Sequence, residues 1–83
     1  MAVNNQNSTP AENAFTVSPS NSTDLAHVTR GLWVGGAGDV KVDMHGGDSA
    51  VVFPSVPAGT LLPLAVTRVY SSGTTATNIV GVY

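Results

Sequence analysis

From Asp39 to Met44, apolar and polar residues alternate without a break. Val40, Val42 and Met44 fall on one side, Lys41 and Asp43 on the other. A period of two fits a half-buried β-strand and no helix. Glycines bracket the run. Gly35-Gly36-Ala37-Gly38 precedes it, and His45-Gly46-Gly47-Asp48 follows as a hairpin-type turn whose Gly-Gly pair is free to take φ > 0. No segment carries a convincing helical period. Pro10-Ala11-Glu12-Asn13-Ala14-Phe15 is enough for one turn at most. The chain is thereby constrained to β-structure.

The rest of residues 24–83 extends this pattern. From Asp24 to Val34 the even positions Ala26, Val28, Leu32 and Val34 form one mostly apolar face, which Arg30 interrupts, while His27, Thr29 and Trp33 lie on the other. Which face is buried stays open. Ala50 to Phe53 is a short apolar strand that Pro54 is expected to stop. Val56-Pro57-Ala58-Gly59 fits a β-turn. Leu61 to Tyr70 is expected as one long strand, with Pro63 confining it to an edge or to the strand's first residues. Ser71-Ser72-Gly73 turns the chain, and Thr77 to Tyr83 is the last strand. The expected fold is all-β, a small antiparallel β-sandwich or barrel. A core of this size supplies only about 3–5 kcal/mol unaided, which favours oligomerisation.

Residues 1–23 differ in composition and are expected as an extended polar N-terminal arm on the 24–83 β domain. They hold five of the six Asn, four Ser, three Thr and two Pro, with Val3, Phe15 and Val17 as the only large apolar residues after Met1. Such a segment buries too little to order alone. It needs a surface, either a neighbouring subunit or another protein, or else it folds back on its own domain. Phe15 and Val17 are the expected anchors.

Composition excludes several classes of function. No apolar run approaches the roughly 18–20 residues of a membrane span, and the first residues lack the basic start and apolar stretch of a signal peptide. Three basic against five acidic residues argue against nucleic acid or an anionic membrane as partner. Without cysteine there is no disulfide, thiolate metal site or Cys nucleophile. Asp43-Met44-His45-Gly46-Gly47-Asp48 is the one acid-histidine cluster; it matches no metal signature and reads as a solvated hairpin tip. The glycines at 35–38 lack the Gly-Lys pair of a phosphate loop and fail the dinucleotide fingerprint. His27 and His45 are the only imidazole bases, and neither lies near a nucleophile elbow. No enzyme, cofactor or metal is expected. Asn7-Ser8-Thr9 and Asn21-Ser22-Thr23 match the glycosylation pattern by chance in so Asn- and Ser-rich an arm.

Trp33 suits a core or interface anchor. Arg30 and Arg68 each sit inside an apolar strand. Three readings stay open: buried arginines satisfied by carbonyls, intersubunit pairs with Asp24, Asp39 or Asp43, or exposed strand positions. Phe15, Val17, Arg30, Trp33, Arg68 and Tyr83 are the candidate contact residues.

Three stretches in register carry a resemblance: Thr29-Arg30-Gly31-Leu32-Trp33-Val34-Gly35-Gly36-Ala37-Gly38-Asp39-Val40, Val56-Pro57-Ala58-Gly59-Thr60-Leu61-Leu62-Pro63-Leu64, and Thr67-Arg68-Val69-Tyr70 with Gly73-Thr74-Thr75-Ala76-Thr77-Asn78-Ile79-Val80. Over residues 24–83 the chain resembles the head-spike base family of small head proteins of tailed bacteriophages and phage-like gene transfer agents. Gly31 and Gly81 depart from it, standing where that family has a side chain, often alanine. The resemblance implies a structural virion protein on the outer capsid surface, a head-spike base or decoration (cement) subunit. Its implied partners are the major capsid protein, further copies as a pentamer or trimer, and a spike fibre protein. It implies no catalytic residues. Lack of cysteine suits synthesis in a bacterial cytoplasm. On this reading the arm crosses the capsid protein or a neighbouring copy, and its removal through residue 20 is expected to leave the β domain folded. The strand from Leu61 and the terminal strand are the expected open edges. The alternative is a carbohydrate-binding module that contacts host polysaccharide, with Trp33 and Tyr70 as stacking platforms.

Overall fold

A computed structural model describes residues 10–83. Seven strands form two antiparallel sheets: β1 (Ala14–Thr16), β2 (Gly31–Gly36), β3 (Gly38–Met44), β4 (Val51–Val56), β5 (Thr60–Leu62), β6 (Val66–Val69) and β7 (Thr77–Val82). The larger sheet runs β1-β7-β2-β5 and the smaller β4-β3-β6. This is a small β-sandwich. Its core lies between the sheets, where alternation sends Leu32 and Val34 of β2, Val40 and Val42 of β3, Val66 and Val69 of β6, and Ile79 of β7 inward. Branched residues suit this pleated, close-packed interior.

After β2 the chain changes sheet at nearly every connection. Between Gly36 and Gly38 it crosses in one residue. Gly38 has φ 157°, and a Cβ on it would lie 2.5 Å from the Ala76 nitrogen, so only glycine fits this crossing. The Gly35–Gly38 run is thus a hinge between sheets. The turn after β3 closes as expected, with Met44 N donating to Asp48 O and Gly47 N to Met44 O.

Several strand boundaries differ from expectation. The first long strand begins at Gly31, not Asp24, because the preceding residues reach across to β6 instead of entering a ladder. Leu25 N donates to Thr67 O and Thr29 N to Val66 O. Pro54 does not stop β4, which runs on to Val56. As an edge strand β4 tolerates a missing N–H. The expected strand Leu61–Tyr70 is two strands in different sheets, parted by Pro63-Leu64-Ala65. The terminal strand is not an edge, since β7 is paired on both sides.

The covering of β7 comes from the segment before residue 24. β1 pairs with β7 in the register Ala14↔Val82, Phe15↔Gly81, Thr16↔Val80. Glu12 N and Asn13 N donate to Tyr83 O, and Tyr83 N donates to Asn13 O. Val17 N then donates to Ile79 O, and Ser20 N to Val69 O on the other sheet. Residues 12–25 therefore strap the edge of one sheet to the edge of the other, and Val17 enters the core at 6% exposure.

Two aspartates of β3 hold the ends of β4. Asp43 Oδ1 accepts from Ala50 N at 2.8 Å, and Asp39 Oδ1 accepts from Ser55 N at 2.9 Å. Ala50 and Ser55 both have positive φ, 54° and 56°.

Candidate functional site

The two outer faces of the sandwich differ in chemistry. On the four-stranded sheet, residues that alternate with the core positions point outward. They are Ala14 and Thr16 of β1, Asn78, Val80 and Val82 of β7, Gly31, Trp33 and Gly35 of β2, and Leu61 of β5. None is charged. Trp33 stands opposite Leu61 on one side and Val80 on the other. It is 43% exposed and Leu61 54%. Leu61 and Val82 close over Gly31 from either side: a Cβ there would lie 3.2 Å from Leu61 Cδ1 and 3.3 Å from Val82 Cγ2. A side chain at Gly31 would therefore press on both neighbours.

The outer face of the three-stranded sheet carries charge, and its groups engage one another. Tyr70 donates its hydroxyl to Asp43 Oδ1 at 2.8 Å. Lys41 Nζ lies 5.0 Å from the Tyr70 ring centroid, and the Arg68 guanidinium carbon 5.9 Å from it. Arg68 Nε pairs with Asp24 Oδ1 at 2.8 Å, and its terminal nitrogens donate to the Asn21 and Ser22 carbonyls at 3.4 Å. Within the chain Arg68 therefore fastens residues 21–24 to β6. The Ala50 N–H, and after it the Tyr70 hydroxyl, hold the Asp43 carboxyl below the usual carboxylate range. The bond to Asp43, with desolvation adding to it, pushes the Tyr70 phenol above its ordinary value.

A third feature lies at the end of the larger sheet. The His27 and Tyr83 rings stack at 4.0 Å and 14°, and Phe15 meets Tyr83 edge-on at 5.6 Å. An open pocket of about 300 Å³ beside Tyr83 is lined by Pro10, Glu12, Asn13 and Arg30. Arg30 is exposed just ahead of β2, and its N–H donates to Val82 O.

Of the six candidate contact residues, the structure brings Phe15 and Tyr83 together and sets Arg30 beside Tyr83. It buries Val17, exposes Trp33 on an uncharged face and ties Arg68 into the opposite face. The sequence reading passed over Leu61, Val80 and Val82. Their signal was the outward alternation of β7 and β5, legible only once β5 was separated from β6.

Among the described residues no three His, Asp or Glu side chains gather as a metal site, and no helix is long and apolar enough to cross a membrane. The Asp43 carboxylate of the acid-histidine cluster is occupied by Ala50 N and the Tyr70 hydroxyl.

No family model and no curated protein matches the sequence. A solved structure does. A chain in the capsid of a native gene transfer agent (GTA) particle, computed with C5 symmetry, is similar at 38% identity and a TM-score of 0.82. The likeness covers 93% of this chain and 88% of that one. Identity at this level along nearly all of both chains goes beyond a shared sandwich, and this chain belongs to the family of that protein, a family of phage-like capsid-associated structural proteins.

Proposed function

We propose that the chain sits on the outer surface of a phage-like capsid, bound to the major capsid protein, as a head-spike base or decoration subunit. The observation that carries this is the likeness to a GTA capsid chain along nearly the whole length. The role is binding, not chemistry. Among the described residues the polar groups of the charged face engage one another, and Trp33 and Leu61 stand exposed side by side on the outer face of a sheet, which suits a partner surface better than a small substrate. Copies assemble as a pentamer or a trimer, with a spike fibre protein as a further partner of the pentameric form.

The test is co-sedimentation of the purified protein with particles assembled without it. Saturable binding at a fixed ratio to the capsid protein is expected. Protein that stays in the supernatant at every concentration overturns the reading. Native mass then separates the forms, a pentamer for the spike base and a trimer for the cement role.

Carbohydrate binding is the second reading, favoured by the exposure of Trp33 between two glycines. Of the two expected platforms only Trp33 stands clear. Tyr70 lies on the opposite face of the sandwich, with its ring against Lys41 and its hydroxyl on Asp43.

A further inference from the structure

The chain has eight charged residues, and none occupies an outward position on β1, β7, β2 or β5. The face is also continuous. Leu61, Trp33 and Val80 stand in one row across three strands, and Leu61 and Val82 meet over Gly31 in the next. Contiguous exposed apolar surface of this kind marks a contact site.

Its size limits what can cover it. Two strands of six residues and two of three, about 4.8 Å apart, give a face of roughly 300 Å². A stable pair of free proteins needs about 800 Å² on each partner. The face is too small to hold two free copies together. It suits a subunit seated on a rigid, preassembled surface, where other contacts of the same subunit add to it.

We infer that the uncharged outer face of the larger sheet, centred on Trp33, is the seat of this chain on the shell, packed against an uncharged apolar patch of the assembled major capsid protein. This rests on the capsid-surface reading above. The seat orients the subunit: the opposite face, where Lys41 lies over the Tyr70 ring and Arg68 pairs with Asp24, points to solvent. Docking of this kind is nearly independent of salt, because no charges meet across it.

The experiment measures binding of the full chain to particles assembled without it, at about 0.05 M and about 0.5 M NaCl. Wild type is expected to bind with less than about a threefold change between the two. Trp33→Glu and Leu61→Lys, both at exposed positions, are expected to weaken binding by about 100-fold or more. Val52→Glu, at a 46%-exposed position on the opposite face, is expected to change it by less than about threefold. Thermal melting confirms that each variant is folded. Folded Trp33 and Leu61 variants that bind as wild type overturn the seat, as does a loss confined to Val52→Glu. If the free protein is an oligomer that Trp33→Glu dissociates, the face joins copies and the inference is wrong. Wild type that fails to bind at all sinks the capsid-surface reading itself, a result distinct from the others.

Discussion

The ring of Phe15 lies on the backbone of Gly81. A Cβ on Gly81 would stand 2.8 Å from Phe15 Cζ and 3.1 Å from Thr29 Cγ2. The two residues face each other in the β1–β7 register, so glycine at 81 is the complement of an aromatic ring at 15. Gly81→Ala is expected to destabilise the fold by about 1–3 kcal/mol, as overpacking does. In a Phe15→Ala background much of that cost should vanish, with a coupling of about 0.5–3 kcal/mol. Urea midpoints of the four proteins measure it. Additive effects would refute the pairing.

Thr29 is the one buried polar side chain among the described residues, at 2% exposure. Its hydroxyl donates to Leu64 O at 2.8 Å and accepts from Val66 N at 3.1 Å. Thr29→Val keeps the shape and strands both backbone groups, at an expected cost of about 2–3 kcal/mol. Thr29→Ser keeps the hydroxyl and should lose only about 1 kcal/mol for the methyl group. Chemical denaturation of the two variants distinguishes hydrogen bonding from packing.

Asp43 should make the fold acid-sensitive. Its carboxyl is held below the usual carboxylate range, chiefly by the Ala50 N–H and then by the Tyr70 hydroxyl. A depressed folded-state value means that the unfolded chain binds the proton first as pH falls. The stabilisation is therefore complete above the unfolded value and is lost as pH drops through the folded one. Melting temperature measured from pH 5 to pH 2 should fall less steeply in Asp43→Asn than in wild type. Tyr70 is raised, mainly by the same bond, so its part is present below the ordinary phenol value and is lost as pH rises through the folded one.

Ala50 sits at φ 54°. A side chain in the left-handed region costs about 1–2 kcal/mol, and glycine's extra freedom in the unfolded chain costs about 0.5–1 kcal/mol. The first effect is larger. Ala50→Gly should therefore gain up to about 1 kcal/mol, seen as a higher urea midpoint.

Removal of residues 2–20 deletes β1 and Val17, and with them the cover of β7. The truncated chain is expected to lose its cooperative thermal transition, in place of the intact β domain that the sequence suggested. A sharp melt near that of the full chain would show that the strap is dispensable.

These elements also show what could be read in advance. β3 was legible because strict alternation ran for six residues between glycine turns. β7 was legible from the Ser71-Ser72-Gly73 turn and the apolar residues after it, though not its place inside the sheet. β1 left no pattern: it is three residues long, with one half-buried ring among exposed neighbours, and its stability comes from a partner more than sixty residues away. Leu61–Tyr70 looked like one strand because Pro63 breaks a ladder without breaking the apolar run. The conflict between Arg30 and Trp33 dissolves once β2 begins at Gly31. Arg30 lies outside the strand, and Trp33 faces away from Leu32 and Val34. The uncharged face could not be seen beforehand, because its residues come from four segments that only the sheet order brings together.

The strap has one more effect. Sheets with bare edges add strands from any neighbour, and the hazard rises with crowding. Here Ser20 and Leu25 donate to carbonyls of β6, and β1 occupies the side of β7. On the opposite flank β4 carries Pro54, and β5 is only three residues long and is followed by Pro63. A protein with edges blunted on both flanks can be packed side by side in many copies without zipping into ribbons.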